Sequence, residues 1–538
     1  MEFELIAKTF MGLEQVLAQE LTHMGANNVQ IGRRMVSFSG DKETMYRANF
    51  QLHTAIRILK TIKHFKARSA DEVYEEVQKI DWSEYIQQGK TFSVDSVVYS
   101  NEFRNSRFVT YKVKDAIVDQ FRERSGQRPN ISVSNPDIKL HIHIAEDDAT
   151  LCLDSSGESL HRRGYRQESV EAPLNEVLAA GMIMMTGWTG DTDFIDPMCG
   201  SGTLAIEAAL IARNISPGVF RKEYAFEKWN DYDPNLFDAI YNDETQEREF
   251  EHHIYGYDID MKAVNTAIQN VKAAGLSKDI TIQHQDFKDF QRPAEKSIIV
   301  TNPPYGERIS TPNLLGTYKM IGERLKHEFG GNDAWILSYR EECFEQIGLK
   351  PSIKIPVYNG SLECEFRKYT LFDGKMKTFR EEGGVVKTEE EKREMAQKHR
   401  FKKNREFKER LEAEASNEEG DIRSFQFHSL LRGKSSFNHS SHEDSWESSG
   451  RKGRQWKEDR PRGNRRNFGE EQGAFPFDKR NKRGERKFKR NAMDDRNDFK
   501  TRRHDSGFKS YDGKDFKRAS RQGEIKPNKY KTFDHEDE

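Results

Sequence analysis

The sequence predicts an α/β protein in which a small α+β region precedes a parallel sheet with helices on both faces, followed by a basic tail. From about Leu174, apolar runs of strand length such as SIIVTNPP alternate with helical stretches such as MKAVNTAIQNVKAAG. Such alternation indicates a parallel sheet, because a crossover between parallel strands usually carries a helix. Before Leu174 the strands and helices are shorter and less regular. After about Lys375 the chain is highly charged and poor in aliphatic residues.

The composition points to an unfolded segment. Apolar residues make up 35% of the 538 residues and charged residues 33%, which is too polar a balance for a uniformly globular protein. The formal net charge of -2 averages an acidic body and a basic C-terminal region, so it says nothing by itself about partners. We therefore predict that residues 376–538 form a largely disordered basic tail.

The cysteines and the N-terminus exclude several classes of protein. The four cysteines are scattered and contain no C-x-x-C pair, so neither a zinc site nor a disulfide framework is expected. The N-terminus lacks a basic start followed by an apolar run, and no stretch reaches the roughly 18 apolar residues of a membrane span. We expect a soluble, cytoplasmic protein with no metal and no membrane partner.

Short elements are expected in the N-terminal region. FELIAK is predicted as a strand, GLEQVLAQEL as a helix and NVQIGRRMVSFSG as a second extended stretch. A helix follows around residues 70–79, and KLHIHIAEDDATLCLD alternates in the manner of a hairpin. In the helical stretch YKVKDAIVDQFRER, Lys112 and Lys114 are free to stay solvated while apolar residues share the opposite face.

A glycine turn is the sharpest local signal. The apolar strand that ends at Asp196 runs into Gly200-Ser201-Gly202-Thr203 and then a helix, which brings backbone N–H groups close to any ligand at the end of the strand. Asp196 and these four turn residues are therefore candidates for cofactor binding. The glycines and Ala205 satisfy the G-x-G-x-x-G/A spacing. A tight strand-to-helix turn without a ligand would explain this motif equally well if it stood alone.

Two acids at the ends of the next strands favour a nucleoside cofactor. Asp258 can accept hydrogen bonds from both ribose hydroxyls, and Asp286 can accept one from the adenine amine while Phe287 packs nearby. Taken singly, each acid is more simply a helix cap or turn residue. In a dinucleotide-binding fold the acid follows the glycines by about 20 residues, whereas Asp258 lies beyond an insertion, so NAD is disfavoured.

The fourth strand of this region ends in Asn302-Pro303-Pro304-Tyr305. Prolines rigidify the turn, so the Asn302 amide oxygen and the Pro303 carbonyl can accept hydrogen bonds from the two N–H groups of an amine. Tyr305 offers a ring on which an extruded base can stack. A rigid turn with no chemical role is the alternative. Pyrimidine C5 methylation is disfavoured, because it needs a nucleophilic cysteine where positions 303 and 304 are proline.

Taken together, these residues resemble the THUMP-containing ribosomal RNA guanine-N2-methyltransferases, in particular the N-terminal, large-subunit-modifying half of the RlmL type. The resemblance rests on LDSSGESLHRRGYR, APLNE, DPMCGSGTLAIEAA and TNPPYGERI, and it covers roughly residues 3–372. It implies S-adenosylmethionine as cofactor and 23S ribosomal RNA, free or in a pre-ribosomal large-subunit particle, as partner. It also implies a ferredoxin-like unit (1–55), a THUMP RNA-binding domain (56–155) and a Rossmann-like methyltransferase domain (156–375) whose last strand is antiparallel.

This sequence departs from the family pattern in two ways. The enterobacterial form carries a second methyltransferase domain, where this chain has the basic tail, so only the guanine-N2 activity is implied. Asn175 also stands where the family pattern leads us to expect a lysine.

Candidate RNA contacts lie between the two halves of the chain. Arg162, Arg163 and Arg166 form a basic cluster beside Tyr165 that can contact phosphates, although a solvated linker would have the same composition. Lys112 and Lys114 are further candidates, as is the tail, whose basic residues and scattered Phe suit loose RNA association or simple disorder.

Other functions remain open from the sequence alone. N-P-P-Y suits any exocyclic amine, so a tRNA guanine-N2-methyltransferase and a DNA adenine-N6-methyltransferase are alternatives within the enzymes. A non-catalytic RNA-binding ribosome assembly factor is the alternative outside them. The oligomeric state is not predicted.

Overall fold

The computed structural model describes residues 2–372 apart from 104, 171–172 and 307–312, together with the backbone of 517–519 and 525–527. The last two segments, Lys517–Ala519 and Ile525–Pro527, form a short antiparallel pair. The rest of the predicted tail lies outside the described residues. Two sheets organise residues 2–372, and they lie in one compact unit.

The first sheet has eight strands, ordered β2-β3-β1-β4-β8-β7-β5-β6. Its strands are β1 (Phe3–Lys8), β2 (Asn27–Gly32), β3 (Met35–Gly40), β4 (Arg57–Lys66), β5 (Thr91–Tyr99), β6 (Asn130–Ile131), β7 (Ile138–Ala145) and β8 (Asp148–Asp154). The helices between them are α1 (Glu14–His23), α2 (Lys42–Gln51), α3 (Ala70–Gln78) and α4 (Ser106–Ser125). One hydrophobic core joins these helices to the sheet.

Alternating side chains explain how this sheet forms its core. In β7, Ile138, Leu140, Ile142 and Ile144 are buried and alternate with more exposed residues, so one face of the strand packs inward. The predicted hairpin is confirmed, because β7 pairs antiparallel with β8. The stretch NVQIGRRMVSFSG differs from expectation: it is two strands, β2 and β3, joined by a two-residue turn.

The second sheet has seven strands, ordered β11-β10-β9-β12-β13-β15-β14. They are β9 (Asp193–Asp196), β10 (Ile254–Asp258), β11 (Ile280–His284), β12 (Ser297–Thr301), β13 (Asp333–Ser338), β14 (Ile353–Asn359) and β15 (Leu362–Thr370). Strands β9 to β13 are parallel, and β15 is antiparallel, as the resemblance implied. The helices are α5 (Glu176–Thr186), α6 (Thr203–Ala212), α7 (Pro234–Tyr241), α8 (Met261–Ala274), α9 (Leu314–Glu328) and α10 (Glu341–Ile347).

The strand order creates a crevice at one edge of the second sheet. The chain passes from β9 to β10 and β11 on one side and then returns to β12 on the other side of β9. In open α/β sheets, ligands bind outside the carboxyl ends of the strands at such a reversal. The ends of β9, β10, β11 and β12 are where the glycine turn, the two acids and the N-P-P-Y motif were predicted.

The two sheets are held together by close contacts between their helices and by an insertion. A Cβ at Gly181 in α5 would lie 2.5 Å from the Leu13 side chain, so the glycine allows α5 to approach the start of α1. The insertion before β10 packs on α2, where the Phe226 ring stacks on Tyr46 with centroids 4.3 Å apart. Apolar contacts therefore connect the region of the first sheet with the region of the second.

The structure also bears on membranes and metals. None of the helices in the described part of the chain is both long and apolar enough to cross a membrane. Among the same residues, no group of three or more His, Cys, Asp or Glu side chains is placed to hold a metal ion. All four cysteines are buried and free.

Candidate functional site

The glycine turn follows β9 and leads directly into α6. The Cys199 N–H donates to the Tyr257 carbonyl at 2.8 Å, which ties the turn to the end of β10. Gly200 and Gly202 have φ of 54° and 80°, a backbone region that favours glycine. Gly202 caps α6 without any side-chain hydrogen bond, so N–H groups at the start of this helix remain available to a ligand.

Asp258 holds the turn from the neighbouring strand. Its two carboxylate oxygens accept the N–H groups of Gly200 and Asp260, each at 2.9 Å. Each oxygen has a second lone pair, so the carboxylate can still accept two hydroxyl groups. Burial raises the pKa of Asp258, and the backbone N–H groups of Asp260 and Gly200 act against that rise. The side chain is suited to the ribose contact predicted for it.

Asp286 and Phe287 lie beside Asp258 but in different environments. The Gln285 N–H donates to the Asp258 carbonyl at 3.0 Å, and Asp286 accepts the Lys288 N–H at 2.9 Å, which leaves acceptor capacity on its carboxylate. The Phe287 ring is 3% exposed and packs against Phe290 and Phe329. The expectation that Phe287 packs beside a cofactor is corrected here, because its ring is part of the hydrophobic core.

Asp196, a candidate for cofactor binding, is buried at the join between two strands, so its side chain offers a ligand no exposed surface. It is 1% exposed and accepts the Thr301 hydroxyl at 2.9 Å and the Met198 N–H at 3.3 Å. Burial raises its pKa to about 7, against the effect of these two hydrogen bonds. Asp196 therefore joins the end of β9 to the end of β12, which brings the glycine turn and the N-P-P-Y motif together.

Asn302 has a buried acceptor with no partner. It follows Thr301 directly, and its Oδ1 atom is buried without a hydrogen bond from any described residue. Buried polar atoms are almost always hydrogen-bonded, so an orphaned acceptor at a crevice needs an explanation. Pro303 is buried and Pro304 half-buried, which leaves the turn little freedom. The Asn302 Oδ1 atom is therefore placed to accept a hydrogen bond from a bound ligand.

Tyr305 is held in place from two sides. Its hydroxyl accepts a hydrogen bond from the Asn359 amide at 2.6 Å, and its ring meets Tyr339 edge-on with centroids 5.5 Å apart. Asn359 is the last residue of β14, at the far edge of the sheet. The Tyr305 ring is therefore positioned by the second sheet itself.

Comparison with known families agrees with this geometry. A family model described as an RMKL-like methyltransferase domain matches residues 163–368, a THUMP domain model matches 67–154, and an RlmL ferredoxin-like domain model matches 4–59. A putative RNA methyltransferase of Synechocystis is 37% identical over 364 residues, which are 67% of this chain and 95% of that protein. The chain belongs to the THUMP-containing RMKL-like methyltransferases.

Two further comparisons add to this assignment. The ribosomal RNA large subunit methyltransferase K/L of Syntrophotalea carbinolica is 39% identical over 373 residues, and the match covers 67% of this chain and 52% of that protein. The chain thus spans about half the length of the K/L relatives it matches. The crystal structure of SMU.472, a putative methyltransferase complexed with SAH, is 31% identical with a TM-score of 0.64, covering 70% of this chain and 99% of that one.

Arg166 holds the glycine turn of the methyltransferase domain from the outside. Its guanidinium donates to the Ser201 and Thr203 hydroxyls at 2.8 and 2.9 Å and forms an ion pair with Glu176 at 2.8 Å. Ser201 and Thr203 are themselves buried. The predicted RNA contact of Arg166 is corrected accordingly, because these internal acceptors occupy its guanidinium.

Arg163 is also placed differently from expectation. Its side chain is 2% exposed and lies 3.4 Å from the Glu207 carboxylate, which also accepts the Tyr165 hydroxyl at 2.9 Å. The same guanidinium donates to the His53 carbonyl of the first domain. The prediction that Arg163 contacts RNA is wrong, because its charge is buried and neutralised between the two halves of the methyltransferase.

The other predicted RNA contacts are on the surface of the methyltransferase. Arg162 is exposed and forms an ion pair with Glu158 at 2.6 Å. Lys112 and Lys114 lie on α4, where they form ion pairs with Asp71 at 2.5 Å and Asp115 at 3.2 Å. Exposed ion pairs are weak and can be exchanged for phosphate contacts, so these three stay predictions.

Two asparagines with clear roles were not assigned from the sequence. Asn270 is fully buried in α8, and its amide donates to the carbonyls of Ser201 and Glu168 at 3.0 and 3.1 Å, which fixes the glycine turn to the preceding linker. Its signal was a polar residue on the apolar face formed by Ala267 and Val271. Asn175 caps α5 by accepting the Val177 N–H at 3.0 Å, which explains why this position works without a lysine.

Proposed function

We propose that this chain transfers a methyl group from S-adenosylmethionine to the exocyclic N2 amine of a guanine in 23S ribosomal RNA. The glycine turn, Asp258 and Asp286 bind the cofactor in the crevice. The N-P-P-Y motif presents the amine to it. The observation that carries the proposal is the buried Oδ1 of Asn302, which has no hydrogen-bond partner among the described residues.

Asn302 and Pro303 activate the amine by accepting hydrogen bonds from its two N–H groups. The lone pair of an exocyclic amine is delocalised into the ring, which makes the nitrogen a poor nucleophile. Hydrogen bonds to the Asn302 Oδ1 and the Pro303 carbonyl favour a tetrahedral nitrogen whose lone pair points at the methyl carbon. S-adenosylmethionine, when bound, would supply the methyl group, with the N–C bond forming as the S–C bond breaks. The proton released from the nitrogen would pass to water, because Asn302 and Pro303 offer hydrogen-bond acceptors rather than a base. Such acceptors contribute most when they are fixed before the reaction, as the two prolines ensure.

The proposal of ribosomal RNA rests on the resemblance and on the relatives' names. Relatives at 36 to 39% identity are named for large-subunit ribosomal RNA, and a THUMP domain model matches 67–154. The flipped guanine stacks on Tyr305, whose ring is already fixed by Asn359 and Tyr339. RNA contacts outside the pocket include Arg162, Lys112 and Lys114.

Two substitutions test the pocket. Asp258→Ala should lose S-adenosylmethionine binding, because it removes the ribose acceptor and releases the Gly200 N–H. Asn302→Ala should bind the cofactor with unchanged affinity and lose about 10²- to 10³-fold in turnover, since removal of one fixed electrostatic contact at the reacting atoms costs this much. Calorimetry measures the affinity for S-adenosylmethionine, and transfer of a labelled methyl group to RNA measures turnover.

The control and the site of modification decide between the competing functions. Asp148→Ala changes an exposed carboxylate in the first sheet and should affect neither measurement. Mass mapping of ribosomal RNA from cells that lack the gene should reveal one guanine without its N2-methyl group. Unchanged ribosomal RNA with altered tRNA or DNA would refute the substrate, and a chain that binds no S-adenosylmethionine would refute the enzyme.

A further inference from the structure

Three cations gather at one corner of the first sheet, and none was singled out from the sequence. Lys8 ends β1, and Arg33 and Arg34 form the turn between β2 and β3. The Thr9 N–H donates to the Arg34 carbonyl at 3.0 Å, so the turn is fixed beside the end of β1. We call Lys8, Arg33 and Arg34 the hairpin cation patch.

The patch differs from its surroundings because its charges are unpaired. In residues 2–372, as far as the structure describes them, no ion pair or hydrogen bond involves the charged side-chain ends of these three residues. The Glu14 carboxylate lies nearby, where it accepts the backbone N–H of Arg34 at 2.9 Å. Arg57 and Lys63 on the neighbouring strand are paired with Asp154 and Glu76. Arg33 and Arg34 are exposed, and Lys8 is half-buried.

The half-buried position of Lys8 is unfavourable without an anion. Burial lowers the pKa of Lys8, the nearby Cys152 acts against this, and the charge of Arg34 lowers the pKa further. A partly desolvated cation beside a second cation costs free energy that an anionic partner would return. The geometry therefore suits a ligand with a negative charge at this corner.

The patch lies next to the strand that positions Tyr305. The loop after β1 packs directly on β14, where a Cβ at Gly12 would lie 2.7 Å from the Pro356 carbonyl oxygen. The charge of Arg33 acts on Tyr358, whose pKa is raised mainly by partial burial and by Glu363. The next residue, Asn359, donates to the Tyr305 hydroxyl at 2.6 Å. Residues 356–359 of an extended strand span roughly 10 Å.

We propose that the hairpin cation patch binds phosphates of the substrate RNA strand next to the base that enters the methylation pocket. This inference rests on the function proposed above and adds a positioning role for the first domain. An arginine guanidinium can donate two parallel hydrogen bonds to the oxygens of one phosphate, and the Lys8 ammonium adds a third positive charge next to the two arginines. Because the loop after β1 is packed on β14, an RNA strand bound at the patch is held in a fixed relation to Tyr305 and Asn302.

The patch is tested in the full chain with the double variant Arg33→Glu, Arg34→Asp. Asp is chosen at position 34 because φ is 58° there and Asp tolerates this backbone better than most residues. The probe is 23S ribosomal RNA transcribed in vitro. We expect the KM for RNA to rise about tenfold at low salt, with kcat at saturating RNA and the affinity for S-adenosylmethionine unchanged. The slope of log affinity against log salt should fall by about 1.4, at about 0.7 per lost phosphate contact on a single strand.

The matched control reverses two other exposed cations. Lys272 and Lys278 lie at and beyond the end of α8, at the edge of the second sheet opposite the crevice, and the described residues form no ion pair with them. Lys272→Glu with Lys278→Glu changes the net charge by the same amount and should leave the KM for RNA and the salt slope unchanged. A third variant, Lys8→Met, keeps the aliphatic stem and should lower the slope by about 0.7 without lowering the urea midpoint.

The outcomes separate this inference from the proposed function. If the unaltered chain methylates RNA but the patch variant keeps its KM and salt slope, the patch does not contact RNA and the function stands. Equal losses in the control pair would show a general charge effect and overturn the patch as well. If the unaltered chain neither binds S-adenosylmethionine nor methylates RNA, the proposed function itself fails.

Discussion

Asp196 shows how burial changes the role of a single residue. Its side chain is 1% exposed and accepts a hydrogen bond from the Thr301 hydroxyl, which joins β9 to β12. Burial raises its pKa to about 7. A carboxyl group that holds its proton near neutral pH is a poor counter-charge for a ligand but a good bridge between strands. Asp258, which is only half-buried, is better suited to the proposed contact with the cofactor.

The raised pKa of Asp196 predicts a specific dependence of stability on pH. The folded state holds the proton up to about pH 7, whereas the unfolded chain releases it near its ordinary pKa of about 3.9. At Asp196 the folded state therefore binds more protons in this interval, so this residue's contribution to the free energy of unfolding should fall as pH rises, by about 1.4 kcal/mol per pH unit between pH 5 and 7. Burial lowers the pKa of His141, His143 and His161, which contribute with the opposite sign, so the effect of Asp196 is the difference between the unaltered chain and Asp196→Asn. Asp196→Asn should remove this contribution.

Urea unfolding of the cofactor-free chain at pH 5, 6, 7 and 8 measures the effect. The unaltered chain and Asp148→Asn, which changes an exposed carboxylate, should share the same slope. Equal slopes for the unaltered chain and Asp196→Asn would mean that Asp196 is ionised in the folded protein.

At the scale of elements, the start of α6 determines the shape of the cofactor crevice. Gly202 has φ of 80°, and a Cβ there would lie 3.2 Å from the Cβ of Ala267 in α8. The glycine therefore serves both the turn and the packing of two helices. Arg166 and Asn270 hold the same turn from the linker and from α8, so the turn is fixed before any ligand binds.

Gly202→Ala tests this turn, with Gly187→Ala as its control. Gly187 ends α5 with φ of 79°, and a Cβ there would meet nothing within 4 Å. Both variants should lose about 1 to 2 kcal/mol of unfolding free energy from the left-handed backbone. Only Gly202→Ala should also weaken S-adenosylmethionine binding, by about tenfold, because the N–H groups of the turn must shift. Equal cofactor affinities in the two variants, measured by calorimetry, would refute this role of the turn.

At the scale of the whole molecule, the two sheets lie in one compact unit, and β15 is the last strand of the second sheet along the chain. The Synechocystis relative is covered to 95% by 364 aligned residues, and SMU.472 to 99% by 70% of this chain. The matched methyltransferase-domain model ends at residue 368, within β15. The domain limits at 55, 155 and 375 stay predictions.

A chain that stops at Lys375 should keep the methyltransferase fold. We expect its urea midpoint and its affinity for S-adenosylmethionine to equal those of the full chain, because the crevice is built by residues 196–305. Its affinity for RNA should depend less steeply on salt, since the removed segment carries a surplus of Lys and Arg. A loss of cofactor binding in the shorter chain would show that the C-terminal region supports the crevice.

Local sequence patterns were sufficient to predict the class of fold. Strand-length apolar runs alternating with helices predicted the parallel sheet, and the residues after each strand predicted which side chains meet. Asp258 and Asn302 lie at strand ends in sequence, and parallel strands bring their carboxyl ends to one edge. Periodicity and turn chemistry act over a few residues, so they can be read from the chain directly.

Only the tertiary structure determined whether each charged side chain is buried, paired or exposed. Arg163 and Arg166 have the same local composition as a solvated basic cluster, yet Glu207 and Glu176, distant in sequence or on another element, neutralise them. Arg33 and Arg34, which form no ion pair with any described residue, lie in an equally ordinary turn. Whether a cation is buried, paired or free depends on partners that long-range packing brings to it, and no local pattern specifies them.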